Sequence, residues 1–128
     1  MDKFVKNFII MSIIYLGIAS ILGLTMLGNP QLMHYKFVHS HLNMLGWVSM
    51  MIFGVGYHIL PRFMGKPLKS PKIGAAHFWL ANTSLIGMLL FYILGSMTVS
   101  LLFGLVQAFS IFLFFYNMLA TIYARSAE

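Results

Sequence analysis

Four long apolar runs dominate the chain, and each contains about twenty or more residues, at positions 8–27, 38–60, 75–94 and 99–122. A helix needs about 20 mostly apolar residues to cross the hydrocarbon core of a bilayer, because each residue advances it by only about 1.5 Å. Turn-forming residues separate the runs, namely Gly28-Asn29-Pro30, Pro61 and Gly95-Ser96. The sequence therefore predicts an all-α integral membrane protein, with residues 1–128 forming one four-helix transmembrane domain.

The composition agrees with a chain surrounded by lipid, since 60% of the residues are hydrophobic and 8% are charged. The two carboxylates, Asp2 and Glu128, stand at the two ends, which excludes paired-carboxylate hydrolysis, a carboxylate-bound metal and a proton relay of intramembrane acids. The lack of cysteine excludes disulfides, thiolate catalysis, iron–sulfur clusters and zinc fingers. The net charge of +6 does not predict nucleic-acid binding, because the basic residues border the apolar runs and form no basic face.

The basic residues are distributed unevenly between the two sides that four membrane crossings define. One side contains only Lys36. The other side contains both termini and the loop between the second and third runs, and its basic residues are Lys3, Lys6, Arg62, Lys66, Lys69, Lys72 and Arg125. Because positively charged loops stay in the cytoplasm, we expect cytoplasmic N- and C-termini. The start of the second run, with His39 and His41, is then expected at the outer surface.

The chain has five histidines, of which His39 and His41 constrain the chemistry most. Residues two positions apart diverge by about 200° around a helix, so this pair faces two different neighbours and cannot clamp one small metal ion. Imidazole is the strong metal ligand of this sequence, and methionine sulfur is a weaker one. Paired neutral imidazoles in an apolar, aromatic-rich bundle suit haem iron, with Ser40 and Asn43 as candidate hydrogen-bonding supports. The alternative is that each histidine is an interfacial polar residue bonded to a backbone carbonyl.

Two motifs follow one another in this region of the chain. The first consists of His39-Ser40-His41, Gly54 and the run His58-Ile59-Leu60-Pro61-Arg62-Phe63. The second is Ala76-His77-Phe78-Trp79-Leu80, followed by Gly87. In this order and spacing they resemble two consecutive helices of haem–copper oxidase subunit I, in a superfamily that also includes nitric oxide reductases. The resemblance covers roughly residues 38–95, and the first and last runs match only as hydrophobic helices.

The resemblance implies a trimer. Subunit I of the family has about twelve spans in three four-helix arcs, so this chain resembles one arc, and three copies would close the ring as a cyclic oligomer. In the family, a low-spin haem is bound between the second helices of two adjacent arcs. Carried over to this sequence, His41 of one protomer and His39 of the next would ligate one haem b. The expectation is a homotrimer with bis-histidine haems at its subunit interfaces.

Other polar residues have weaker roles in this interpretation. His34 and Lys36 lie in the outer loop and are candidates for contact with the haem propionates. His58 and His77 fall near the cytoplasmic end, where they would allow a second haem, but the corresponding family histidines are not iron ligands. Hydrogen bonding at the inner interface is the preferred interpretation of that pair. The family's copper-ligand histidines and proton-channel acids have no counterpart in this sequence.

A bis-histidine haem has no open coordination position, so the sequence predicts a membrane b-type cytochrome for electron transfer or redox sensing. The alternative is a sensor or carrier of nitric oxide, oxygen or haem, in which one histidine ligand dissociates. A cofactor-free structural or assembly protein ranks lower, as does a terminal reductase, because no second catalytic metal site is visible. The expected partners are further copies of the chain, the lipid bilayer, and an electron donor, electron acceptor or gas ligand. The expected location is the inner membrane of a prokaryotic cell.

Overall fold

The structure is a computed structural model that describes residues 1–124, so Arg125 and Glu128 lie outside the described residues. Its elements in chain order are α1 (Lys3–Gly28), a 3-10 helix (Pro30–Tyr35), α2 (Lys36–His41), a π-helical segment (Leu42–Ser49), α3 (Met50–Phe63), α4 (Pro71–Ile93) and α5 (Met97–Ile122). Within residues 1–124 there is no strand. The fold is therefore all-α, as predicted.

Four helical stretches are long and apolar enough to cross a membrane, and they are Lys3–Gly28, Pro30–Phe63, Pro71–Ile93 and Met97–Ile122. The prediction of a four-helix membrane fold is confirmed. The first two stretches begin before the apolar runs do, at Lys3 and Pro30, because residues outside the hydrocarbon continue the helical hydrogen bonding. The sequence had suggested a loop between the first two spans, but the 3-10 helix leads directly into α2.

Local sequence explains where α4 begins and ends. Ser70 caps its start, since the serine hydroxyl oxygen accepts a hydrogen bond from the N–H of Ile73 at 3.3 Å and Pro71 occupies the first turn. The helix is closed by Gly95, whose φ of 79° is left-handed and suits a residue without a Cβ. The Gly95 N–H donates to the carbonyl of Tyr92 at 3.1 Å. This tight turn makes α4 and α5 an antiparallel hairpin with extensive mutual packing.

Gly46 allows α1 to pack closely against the π-helical segment. A Cβ at Gly46 would lie 2.8 Å from Cγ of Tyr15, which is closer than real Cβ contacts allow. The Tyr15 hydroxyl donates to Oδ1 of Asn82 on α4 at 2.9 Å, and both side chains are buried. The amide of Asn82 in turn donates to the carbonyl of Phe78 at 2.8 Å. Hydrogen bonds of this kind connect helices in lipid, where apolar burial alone supplies little drive for association.

The connection between α3 and α4 lies against the end of α5. Nζ of Lys66 donates to the carbonyls of Ile122 and Ala124 at 3.2 and 2.6 Å. The start of α1 reaches the same end, because the ring of Phe4 packs directly on Gly74 near the start of α4. We call this the basic end of the bundle, and the basic residues described there are Lys3, Lys6, Arg62, Lys66, Lys69 and Lys72.

The opposite end, which we call the distal end, contains the 3-10 helix and the turn between α4 and α5. The Tyr92 hydroxyl joins these two parts by donating to the carbonyl of His34 at 3.4 Å. In the part of the chain that the structure describes, Lys36 is the one basic residue other than histidine at this end. The structure thus separates the charges between the two ends. The cytoplasmic placement of the basic end stays a prediction from the distribution of charge.

We expect Gly46→Val to lower the free energy of unfolding by about 1–3 kcal/mol, because the new side chain displaces Tyr15 from its bond to Asn82. Thermal unfolding in detergent, followed by circular dichroism, measures the change. Gly17→Ala is the matched control, since no atom lies within 4 Å of the added Cβ and alanine favours a helix over glycine by about 1 kcal/mol. Unchanged stability of Gly46→Val would contradict the close approach of α1.

Candidate functional site

His41 stands at the end of α2 and borders a groove at the distal end. The groove has a volume of about 380 Å³ and is formed by α2, α4 and α5, with a lining of Phe37, His41, Met88, Met97, Ser100, Leu101, Gly104 and Leu105. The imidazole packs on the ring of Phe37 with a centroid distance of 3.9 Å. Its Nδ1 donates to the Phe37 carbonyl at 2.8 Å. Within residues 1–124, the other ring nitrogen, Nε2, has no hydrogen-bond partner, so its lone pair is available to a ligand in the groove.

His39 faces a different neighbour, the first helix of its own chain. Its Nδ1 donates to the carbonyl of Ala19 at 3.0 Å. The ring lies directly over Gly23, where a Cβ would come within 2.8 Å of Cε1. Nε2 of His39 accepts a long hydrogen bond of 3.3 Å from the amide of Asn43, which also donates to the His39 carbonyl at 3.0 Å. The lone pair of His39 is therefore already used within the chain.

The two imidazoles share one feature despite their different directions. Each donates its Nδ1–H to a main-chain carbonyl, which leaves Nε2 as the nitrogen with the lone pair. Histidines that bind metals are usually held in this way, because the bond at one nitrogen orients the ring and makes the other nitrogen a better ligand. The same bond also satisfies the alternative interpretation of an interfacial histidine bonded to a carbonyl. The two interpretations are compatible, since they concern different nitrogens.

The helix changes its winding immediately after His41. The π-helical segment Leu42–Ser49 places more residues in each turn than an α-helix does, and π-helical turns are frequent at functional sites. The hydroxyl of Ser49 donates to the carbonyl of Met44, five positions earlier, at 2.7 Å. As a consequence, residues beyond 42 do not lie at the angles around the axis that an ideal α-helix would give them. No pattern in the sequence had indicated this segment.

The remaining predicted residues of the distal end make local contacts. Within residues 1–124, the hydroxyl of Ser40 donates to the carbonyl of Lys36 at 2.7 Å and forms no hydrogen bond with either imidazole of the pair. Lys36 itself is exposed at the start of α2. His34 is exposed as well, and its Nδ1 donates to the carbonyl of Gln31 at 2.8 Å.

The structure does not bring His58 and His77 together around an open space. Nη1 of Arg62 donates to both Nδ1 and the carbonyl of His58 at 2.6 Å. The arginine therefore occupies one ring nitrogen of this half-buried histidine. His77 is fully buried, and the rings of Phe8 and Phe53 lie 4.9 and 4.6 Å from its own. This packing leaves no room for a macrocycle beside His77.

A buried hydrogen bond connects His77 to the helix before it. The hydroxyl of Tyr57 and Nδ1 of His77 are 3.1 Å apart, and both side chains are buried. Nε2 of His77 has no partner among the described residues. A buried imidazole bonded to a tyrosine accounts for this residue of the second motif without any ligand.

Sequence reasoning missed the far wall of the groove. Met88, Met97 and Ser100 lie opposite His41, and Ser100 donates its hydroxyl to the Met88 carbonyl at 2.7 Å. No motif marks the two methionines, and they lie on two helices distant from His41 in the sequence. Only the structure shows that α4 and α5 bring these residues to the distal end beside His41.

We expect Tyr57→Phe to lower the free energy of unfolding by about 1–3 kcal/mol, because it leaves both nitrogens of the buried His77 ring without a partner. Thermal unfolding in detergent measures this loss. Tyr116→Phe is the matched control, since Tyr116 lies on α5 with 59% of its surface exposed. If both variants unfold at the temperature of the parent protein, the buried bond does not contribute to stability.

One characterised protein is similar to part of this chain. The cbb3-type cytochrome c oxidase subunit CcoN1 of Stutzerimonas stutzeri is 31% identical to it over 84 residues, which cover 61% of this chain and 18% of that subunit. The chain thus spans less than a fifth of the length of the relative that it matches. No family model matches the chain, and no solved structure gives a significant match. The similarity is distant, and it supports a relationship between this membrane protein and the haem–copper oxidase subunits that its two motifs resemble.

Proposed function

We propose that the protein is a small membrane cytochrome that binds haem b through histidine and transfers electrons or senses the redox state. The observation that supports this most directly is the environment of His41. His41 lines an apolar groove, its Nδ1–H is held by the carbonyl of Phe37, and its Nε2 has no hydrogen-bond partner among the described residues. A neutral imidazole in this state is a suitable axial ligand for iron.

The groove beside His41 fits an apolar, flat cofactor. Its volume of about 380 Å³ falls in the range of small-molecule sites, which is about 300–1,000 Å³. Phe37 stacks on Tyr92 with a centroid distance of 4.3 Å, so the aromatic ring beside His41 is packed from behind. Gly104 has no side chain, so it leaves more space in the part of the groove that it lines. Haem bound here would supply reversible one-electron chemistry, with its potential set by the ligands and by burial.

Two residues of the distal end would bind the acidic groups of the cofactor. Lys36 and His34 are exposed at the distal end and provide a positive charge and an imidazole edge. The propionates of haem are anionic, so they would orient towards this end and leave the macrocycle in the apolar part. This assignment rests on charge and location.

The second iron ligand would come from another copy of the chain. His39 faces α1 of its own chain, so it does not border the groove that contains His41. In a cyclic trimer, His39 of one protomer would approach the groove of the next, as in the arrangement that the resemblance implies. The amide of Asn43 must then leave Nε2 of His39, because the same lone pair binds either the amide or the iron.

A second candidate function is supported by the same geometry. Since His41 is the one histidine that lines the groove, a single chain would bind haem through one imidazole and leave the opposite side open. Such a protein would be a sensor or carrier for nitric oxide, oxygen or haem. The exchange of electrons with a partner protein would then be secondary.

By the charge rule, both forms of the proposal place the basic end in the cytoplasm of a prokaryotic cell and the groove near the outer surface of the inner membrane.

The optical spectrum of the purified protein tests the proposal. We expect a Soret band, sharp bands on reduction and no change with carbon monoxide, because two histidines fill both axial positions. A carbon monoxide shift would support the gas-binding form instead. Absence of a Soret band after reconstitution with haem would exclude both forms and leave a structural or assembly role.

Two substitutions test the ligands. His41→Ala and His39→Ala are each expected to lower the haem content at least tenfold if one iron is shared across an interface. His58→Ala is the matched control and is expected to keep the spectrum of the parent protein, since Arg62 already occupies its Nδ1. Added imidazole is expected to restore the spectrum of His41→Ala. Haem loss in His41→Ala alone would contradict the shared site and favour one histidine ligand per chain.

A further inference from the structure

A second groove lies between α1 and α4 and shares no lining residue with the groove beside His41. Its volume is about 330 Å³, and the side chains that line it include Asn7, Ile10, Met11, Phe78, Trp79 and Thr83. Trp79 is 66% exposed and forms part of the wall. The groove is open along one side and almost entirely apolar, so within a membrane it is in contact with the hydrocarbon.

The groove begins near the basic end and follows both helices into the membrane. On α4 it extends from Phe78 to Ile86, a distance of about 12 Å along the helix axis. One leaflet of hydrocarbon is about 15 Å thick. The length of the groove therefore corresponds to most of one leaflet, which suits an acyl chain lying parallel to the helices.

Positive charges stand at the entrance of the groove. Lys3 lies one turn before Asn7 on α1, and Lys72 lies two turns before Trp79 on α4, so helical periodicity places both lysines on the faces that form the groove. Both are exposed. The one carboxylate near them in the described chain is Asp2, which is exposed at the start of α1.

The helix termini add to this positive potential. Both α1 and α4 begin at the basic end, and the N-terminus of a helix carries a partial positive charge. The groove is therefore apolar and nearly as long as one leaflet of hydrocarbon is thick. Two lysines and two helix N-termini lie at its entrance. Its chemical complement is a molecule with a negatively charged head and a hydrocarbon tail.

We propose that the groove between α1 and α4 is a binding site for an anionic phospholipid. One acyl chain lies against Ile10, Met11 and Trp79, and the phosphate lies between Lys3 and Lys72. The neutral amide of Asn7 is in reach of the glycerol region, where the lipid has ester oxygens. This site is at the basic end and does not depend on haem.

Fluorescence quenching by brominated lipids tests the proposal directly, because Trp79 is part of the wall. The chain has two tryptophans, so the Trp47→Phe variant leaves Trp79 as the reporter. The variant is reconstituted into phosphatidylcholine vesicles that contain either dibromo-phosphatidylglycerol or dibromo-phosphatidylcholine at increasing mole fractions. We expect phosphatidylglycerol to reach half-maximal quenching at a mole fraction at least fivefold lower than phosphatidylcholine.

Charge variants in the same background identify the headgroup contacts. Lys3→Gln and Lys72→Gln are each expected to reduce the preference for phosphatidylglycerol by about fivefold, since one lysine near a membrane surface contributes about 1 kcal/mol towards an anionic lipid. Lys69→Gln, on the connection between α3 and α4, is the matched control at the same end and is expected to keep the preference. The substituted lysines are exposed, so these changes remove no buried contact.

Three results would overturn the proposal. Equal quenching by the two lipids would show that the groove takes hydrocarbon without regard to charge. An unchanged preference in both lysine variants would place the anionic lipid elsewhere. Protection of Trp79 from both brominated lipids would show that another protein surface, such as a second copy of this chain, covers the groove.

Discussion

Lipid offers no hydrogen bonds, and this constraint organises the interior of the protein. A buried polar side chain must therefore form its hydrogen bonds with another helix or with the backbone of its own helix. Tyr15 meets Asn82 across α1 and α4, and Tyr57 meets His77 across α3 and α4. Both bonds end on α4, which has the largest buried share of the four spans. The outward faces of the helices remain apolar towards the lipid.

The same constraint shapes the histidine pair. An imidazole at the end of a membrane helix must bond one nitrogen, and His39 and His41 both bond a carbonyl through Nδ1. What distinguishes them is the other nitrogen. In His39 it is in contact with Asn43, whereas in His41, which lines an apolar groove, it has no hydrogen-bond partner in residues 1–124. A structural role at Nδ1 is therefore compatible with a ligand role at Nε2, and the difference between the two histidines makes the groove beside His41 the stronger candidate for a ligand site.

The chain uses its two ends differently. The distal end combines aromatic rings, methionine and imidazole around a groove, which is suited to a planar cofactor. The basic end combines lysines and helix N-termini around a second groove, which is suited to an anionic lipid. Because the two grooves share α4 but have no lining residue in common, haem binding and lipid binding can be tested separately. The distant similarity to an oxidase subunit bears on the first and not on the second.

Sequence alone determined the four membrane helices and the separation of charge, because both depend on hydrophobic length and on the position of lysine and arginine. It also singled out His39 and His41 and their divergence, since helical periodicity follows from spacing. Tertiary structure decided which partner each histidine meets. It also brought Met88, Met97 and Ser100 to the groove of His41, inserted the π-helical segment, and placed His77 in an aromatic cage away from His58. These features depend on contacts between helices distant in the chain, and a local pattern of residues does not encode how such helices rotate and slide until they pack.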